Sequence, residues 1–326
     1  MSSYFITGGN GFIGAAVARK LVQEGHNIRV MLRDGASVDR LSGILSKVEV
    51  VRGDLGHLDA AQNSLRERNA DALIHTAWAG VARAERNDLL QVTVNIPASI
   101  RLCEIAAQTG CRAFIGLGSQ AEYGSFDGVL DEQTPVRPNT AYGFAKQMAG
   151  ELCRNLCSMA GMRSVWLRVL SVYGPGDNET HMVPTVIRSL LRGDKPKLTH
   201  GLQEWDYLYI DDCAAAISAI LKTQAEGIFV LGSGEATRIR EVVELVRDKI
   251  DEHLPLGFGE IDRSTTVNLR ADVSKLMRLT GWHPSTPLNL GLDLTIASIA
   301  ASIHPVRSTG TDQSGLDHLT NRPKHE

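Results

Sequence analysis

The sequence predicts an α/β protein, a doubly wound parallel sheet that carries a smaller, discontinuous α/β lobe. Three observations lead there. The first twenty residues, MSSYFITGGNGFIGAAVARK, run from an apolar strand at Tyr4 to Ile6 through glycines 8, 9, 11 and 14 into a helical pattern. Short apolar strands then alternate with helical stretches as far as residue 118, the signature of consecutive βαβ units. A chain of 326 residues also leaves roughly 100 to 150 residues beyond a full α/β core, enough for a second lobe.

In the opening unit, Ile13, Val17 and Leu21 recur at helical spacing, and a second strand follows at Asn27 to Leu32. Gly8 permits a sharp turn, Gly11 removes the side chain that would hold a pyrophosphate off the backbone, and Gly14 lets helix and strand pack closely. The free N–H groups of the helix then face the phosphates, with Phe12 and Ile13 beside them. Further strands are expected at Val48 to Val51, Ala72 to His75 and Ala113 to Gly118, with a helix from Asn95 to Ala107. His75 is read as packed. A helix opening near Tyr142 leads to a sixth strand, Ser164 to Leu170, and Tyr207 to Leu231 reads as strand, helix and strand returning to the first domain. Residues 235 to 300 hold helices, a short extended piece at Ile261 to Asn268, and the turn Gly281-Trp282-His283-Pro284. These boundaries assign 1–170 plus 206–232 to the dinucleotide-binding domain and 171–205 plus 233–302 to the substrate lobe. Residues 303–326 are polar and aperiodic, and a disordered tail is expected.

Charged residues make up 22% of the chain, the net charge is −3, and no block of like charge occurs. This argues against a nucleic-acid or membrane surface and for a small-molecule partner. No basic segment followed by an apolar run precedes the first strand, and no apolar run approaches the roughly 18 residues that span a bilayer. A cytoplasmic protein is expected. The five cysteines show no metal spacing, so reduced thiols and no metal site are expected.

The cofactor's adenosine ribose is met just after the second strand, at Arg33-Asp34. Arg33, with Ser37 as a second donor, suits a 2′-phosphate and favours NADP(H); Asp34 on the ribose would give NAD(H) instead. Two further segments carry the chemistry, Gly118-Ser119-Gln120-Ala121-Glu122-Tyr123-Gly124 and Thr140-Ala141-Tyr142-Gly143-Phe144-Ala145-Lys146. Tyr142 and Lys146 at i and i+4 share a helix face. A free phenol, with a pKa of about 10, exchanges protons poorly at neutral pH, and a neighbouring ammonium is expected to lower that value. Ser119 would hold the reacting oxygen.

Thr-Gly-x-x-Gly-x-x-Gly from Thr7, Ser119 after the fifth strand, and Tyr142 with Lys146 together resemble the extended short-chain dehydrogenase/reductases, the sugar-nucleotide epimerase/dehydratase family. The resemblance covers residues 4 to about 300. It implies a Rossmann fold, a nucleotide-sugar substrate and a homodimer formed through helices near residues 86 to 109 and 142 to 160. It places Asp54 on the adenine amino group with Leu55 beside it, Ala77 in the turn passing the cofactor ribose, and Lys146 on a ribose as well as beside Tyr142. Arg168 and Tyr173-Gly174-Pro175-Gly176 are similar to the family's Arg-x-x-x-x-Tyr-Gly-Pro-Gly segment. Arg270 resembles the arginine that clamps the substrate diphosphate. Trp205 stands where the family usually carries Arg, either stacking on a base or sugar or simply packing. His181, before Met182-Val183-Pro184, matches one half of the acid/base pair of GDP-fucose synthase; the other half, a Cys, is replaced by Ala121.

Within the family, 4,6-dehydratases carry Asp-Glu directly after the Ser or Thr, and here those places hold Gln120 and Ala121. Glu122, one place later, joins His181, Trp205 and Arg270 among the substrate-binding candidates. The resulting expectation is NADPH-dependent reduction of the C4 ketone of a nucleotide-linked 4-keto-6-deoxysugar. The alternatives are an NAD-dependent nucleotide-sugar 4-epimerase and, third, a dinucleotide sensor without turnover.

Overall fold

The computed structural model describes residues 1–262 and 267–303. Its elements run β1 (Ser3–Thr7), α1 (Phe12–Gln23), β2 (Asn27–Leu32), β3 (Val48–Arg52), α2 (Asp59–Glu67), β4 (Ala72–His75), α3 (Ile96–Gln108), β5 (Ala113–Ser119), β6 (Gly128–Leu130) and α4 (Ala141–Met159). They continue with β7 (Arg163–Val169), β8 (Ser171–Tyr173), α5 (Met182–Leu191), β9 (Lys197–Leu198), β10 (Glu204–Tyr209), α6 (Ile210–Lys222), β11 (Gly227–Leu231) and β12 (Ala236–Arg238). The chain closes with α7 (Ile239–Ile250), β13 (Gly257–Phe258), β14 (Leu269–Ala271), α8 (Ser274–Thr280) and α9 (Leu288–Ile303).

Seven parallel strands form the main sheet in the order β11-β7-β5-β4-β1-β2-β3. The order reverses at β1, so the carboxyl ends of β1 and β4 border the crevice where such sheets take ligands. Parallel strands covered on both faces are apolar throughout. Phe5, Val30, Ile74, Ile115, Leu167 and Phe229 are accordingly fully buried. Helices α1 and α6 contribute to the core on one face, and α2, α3 and α4 to the core on the other.

The smaller sheet has the order β12-β10-β14-β6, with β8 also pairing to β10. This differs from the reading of Tyr207 to Leu231 as one returning block. Strand β10 stays in the smaller sheet, while β11 joins β7 in the main sheet. Asp206 is the reason, because its buried carboxylate accepts from the N–H groups of Ser233, Gly234 and Ala271 at 2.6 to 3.0 Å. The Gly281-Trp282-His283-Pro284 turn is fastened by Asp212 on α6. Its carboxylate accepts from Ser285 and Thr286, and its carbonyl accepts from the Trp282 indole.

The expected extended piece at Ile261 to Asn268 falls partly outside the described residues, and the strand found there is β14, starting at Leu269. The expected tail lies outside them from residue 304 onward. All five cysteines are free and buried.

Candidate active site

The glycine turn is built by close approach. Gly8 has φ +68°, and a Cβ there would lie 2.7 Å from the Ala77 nitrogen in the turn after β4. A Cβ on Gly14 would overlap the Gly8 carbonyl and lie 2.6 Å from the Thr76 hydroxyl. Gly11 is the N-cap of helix α1, so the first N–H groups of the helix have no side-chain cap. A cradle that a single methyl group would fill, next to an uncapped helix N-terminus, fits a dinucleotide pyrophosphate. Phe12 and Ile13, half-buried, form the first turn.

On the outer side of the sheet, Arg33 is exposed and its side chain has no hydrogen-bond or ion-pair partner among the described residues. Asp34 follows it in the same exposed turn, and the Ser37 hydroxyl already accepts from the Asp39 N–H. Asp54 lies at the end of β3, with Oδ1 accepting from the Gly56 and His57 N–H groups at 2.7 and 3.0 Å; Leu55 beside it is half-buried.

Ser119 ends β5, and Tyr142 and Lys146 lie in the first two turns of α4, all three at one end of the sheet. Thr140 caps α4 through a bond from the Gly143 N–H. The same helix end is held from outside: the Tyr142 N–H donates to the Arg86 carbonyl at 2.8 Å, and the Ala141 N–H to Asn87 Oδ1 at 3.0 Å. Tyr142 is 9% exposed and Lys146 4%. Burial pushes the Tyr142 phenol above its ordinary pKa, against the hydrogen bond with Ser119 and the charge of Arg86, whose guanidinium lies 5.3 Å from the ring centre. This corrects the expectation that the lysine lowers the phenol. The Lys146 ammonium instead donates to the Leu117 carbonyl at 2.6 Å and lies 5.9 Å from the Tyr142 ring centre. Burial brings Lys146 down to about 7, opposed by the charge of Glu122.

Glu122 does not face a substrate. It is 1% exposed, and its carboxylate accepts from the Ser119 N–H at 2.9 Å, the Trp166 indole at 3.0 Å and Arg168 Nε at 2.9 Å. Residues 120–123 form a single tight turn rather than continuing the strand, which swings this side chain back under Ser119. His181 begins α5, half exposed, with Nδ1 bonded to Asp177 at 2.8 Å. That bond raises its pKa, and the charge of Arg86 opposes the rise. Arg86 therefore influences both Tyr142 and His181.

Trp205 is half-buried on β10 and packs against the main core. Arg270 alternates outward between buried Leu269 and Ala271 and lines a separate cavity of about 560 Å³ with Ser233, Glu235, Asp272 and His283. Neither is brought beside Tyr142. Sequence reasoning missed Arg86, Arg168 as the partner of Glu122, and Trp78. Only Trp78 gave a signal, as a lone large aromatic in the small-residue turn Thr76-Ala77-Trp78-Ala79-Gly80.

A UDP-glucose 4-epimerase of Corynebacterium glutamicum is 25% identical over 301 residues, 86% of this chain and 90% of that protein. The structure of MoeE5 in complex with UDP-glucose and NAD is 25% identical with a TM-score of 0.81, covering 93% of this chain and all of the other. The UDP-glucuronic acid 4-epimerase of Bacillus cereus, solved with UDP-glucuronic acid and NAD, superposes with a TM-score of 0.82 at 22% identity, over 93% of this chain and all of that one. Both solved proteins hold NAD. This overturns NADP(H) as the expected cofactor, and with it the NADPH-dependent 4-ketoreductase reading. The physical reason is local: Arg33 is an unanchored surface cation with a carboxylate next to it, not a built phosphate fork. Residues 4–232 match the model of the NAD dependent epimerase/dehydratase family. With its seven-stranded parallel sheet, glycine cradle and convergent Ser119, Tyr142 and Lys146, the chain belongs to the NAD dependent epimerase/dehydratase family of enzymes acting on nucleotide sugars.

Proposed function

We propose that the protein is an NAD-dependent nucleotide-sugar 4-epimerase. The observation that carries this reading is the grouping of Ser119, Tyr142 and Lys146 beside the glycine cradle, with Gln120 and Ala121 at the places where a dehydratase needs two acids. Bound NAD would supply a hydride acceptor that can return the hydride to either face of C4. In this reading Tyr142 takes the proton of the C4 hydroxyl and gives it back after the sugar has turned over. Ser119 fixes that oxygen by a hydrogen bond. Lys146, one helical turn from Tyr142 and held by the Leu117 carbonyl, supplies a donor for the cofactor ribose. Gly8, Gly11, Gly14, Phe12 and Ile13 hold the pyrophosphate, Asp54, Leu55 and Ala77 the adenosine side, and Asp34 takes the ribose contact in place of Arg33.

The division into 1–170 plus 206–232 and 171–205 plus 233–302 is part of the proposal, amended by β10, which belongs with the smaller sheet. So is a homodimer in the cytoplasm. Phe144, Met148 and Leu152 form an exposed apolar stripe at i, i+4 and i+8 on α4, with exposed Val92 nearby in sequence to α3, which packs on α4. Among the described residues no helix is long and apolar enough to cross a membrane.

The test is to denature the purified protein, identify released dinucleotide by mass, and follow C4 inversion by NMR with UDP-hexoses and UDP-hexuronic acids. Retained NAD and inversion of one of these sugars support the proposal. NAD retained without inversion of any of them overturns it.

A further inference from the structure

Lys146 is a buried cation without a counter-ion. Among the described residues no carboxylate lies within ion-pair distance of it, and its ammonium makes one hydrogen bond, to the Leu117 carbonyl. A lone buried ammonium is costly and tends to lose its proton. The groups facing it are few: His75 from β4, Glu122 below β5, Tyr142 from its own helix, with Arg86 beyond the Tyr142 ring. His75 is held neutral by burial, so it offers no balancing charge. The ammonium lies over the ring of Trp78, with Nζ 3.6 Å from the ring centre. The same ring meets Tyr142 edge-on, with centroids 6.2 Å apart and planes at 86°.

The placement of Trp78 is enforced. Its indole N–H donates to Gln91 Oε1 at 2.8 Å, and the Gln91 amide donates to the Gly80 carbonyl at 2.6 Å. Asn95 holds both polar groups of Ala79 and also donates to Gln91. Gln91 and Asn95 are fully buried, at the two ends of a π-type turn that leads into α3. Such turns recur at functional sites because the extra residue re-aims side chains. From this arrangement we infer that Trp78 is a positioning residue for the acid–base pair: its indole face keeps the buried Lys146 ammonium charged and fixed beside Tyr142 by a cation–π contact.

This inference builds on the catalytic reading of Tyr142 and Lys146, so its test uses a signal independent of turnover. The protein is labelled with ¹³C-lysine, and the Lys146 ε-methylene resonance is identified by its loss in Lys146→Met. Its protons should be displaced upfield by the indole ring. Trp78→Leu keeps the site apolar but removes the π face, so the displacement should vanish and the Lys146 midpoint should fall by about half a unit to one unit, the size of a cation–π contact. Trp78→Phe, which retains an aromatic face, should restore most of both. A Lys146 resonance with no ring-current shift in the parent protein, or a midpoint unmoved in Trp78→Leu, overturns the inference whether or not the protein is an epimerase. If inversion at C4 is observed, the alkaline limb of its pH profile should move to lower pH in Trp78→Leu and recover in Trp78→Phe. Loss of activity equal at every pH would mark a merely structural role.

Discussion

Arg168 Nε donates to Glu122 Oε2 at 2.9 Å with both side chains almost wholly buried, and the other oxygen of the same carboxylate takes the backbone N–H of Ser119. One ion pair beneath the sheet end therefore fixes Ser119, the residue proposed to hold the reacting oxygen. Arg168→Met leaves the carboxylate buried without its cation. Breaking such a pair costs about 3 to 5 kcal/mol. Denaturant unfolding should show that loss, whereas Arg270→Met, on the surface, should lie within about 0.5 kcal/mol of the parent.

The glycine cradle predicts a sharp difference between positions. Gly14→Ala would drive a methyl group onto the Gly8 carbonyl and Thr76, so the variant should lose bound dinucleotide as measured by mass after denaturation. A methyl group on Gly43 would meet nothing within 4 Å, and Gly43→Ala should retain the dinucleotide in full.

Tyr142→Phe removes the exchangeable proton and keeps the ring that Trp78 and Arg86 pack against. Turnover should drop by about 10²- to 10⁴-fold, with dinucleotide content unchanged. Equal activity in the variant would remove Tyr142 from the mechanism.

His75 links Thr7 and Ser99 at 2.8 and 3.0 Å, and burial holds its pKa down to about 3 against an ordinary 6.5. The unfolded chain takes up a proton below about 6.5 that the folded protein refuses until about 3. Stability due to this group is therefore present above 6.5 and is lost as the pH falls through that window. Unfolding free energies measured across this range should decline less steeply in His75→Asn than in the parent.

The exposed stripe on α4 predicts the assembly. Phe144→Glu combined with Met148→Glu puts two charges on it and should convert a dimer into a monomer in analytical ultracentrifugation. A parent protein that sediments as a monomer would dispose of the dimer proposal.

The main sheet is legible in the sequence because its signals are local. Strands of four to seven residues, mostly apolar and bounded by glycine or polar turns, mark β1, β2, β4 and β5 within a residue or so, and the glycine spacing follows from a steric requirement met within seven residues. The convergence of Ser119 with Tyr142 and Lys146 is legible through helical spacing and motif. Glu122 is not, because it lies past the end of β5 in the tight turn 120–123, and its partners Trp166 and Arg168 are 44 and 46 residues away. Nor is the sheet that β10 joins, because it is chosen by Asp206, whose partners lie 27 to 65 residues away. Trp78 and Arg86 sit in a loop without periodicity, where no local pattern announces what a side chain will touch.

Ala77 touches the turn at Gly8, and the very next residue lays its ring on Lys146. Two neighbours in the chain thus join the glycine turn to the Tyr142–Lys146 pair, and neither can be redesigned in isolation. Anyone wishing to change the dinucleotide this enzyme accepts should leave that turn alone and work at Arg33 and Asp34, after β2. Both side chains there are exposed, so substitutions at them leave the contacts of Ser119, Tyr142 and Lys146 in place.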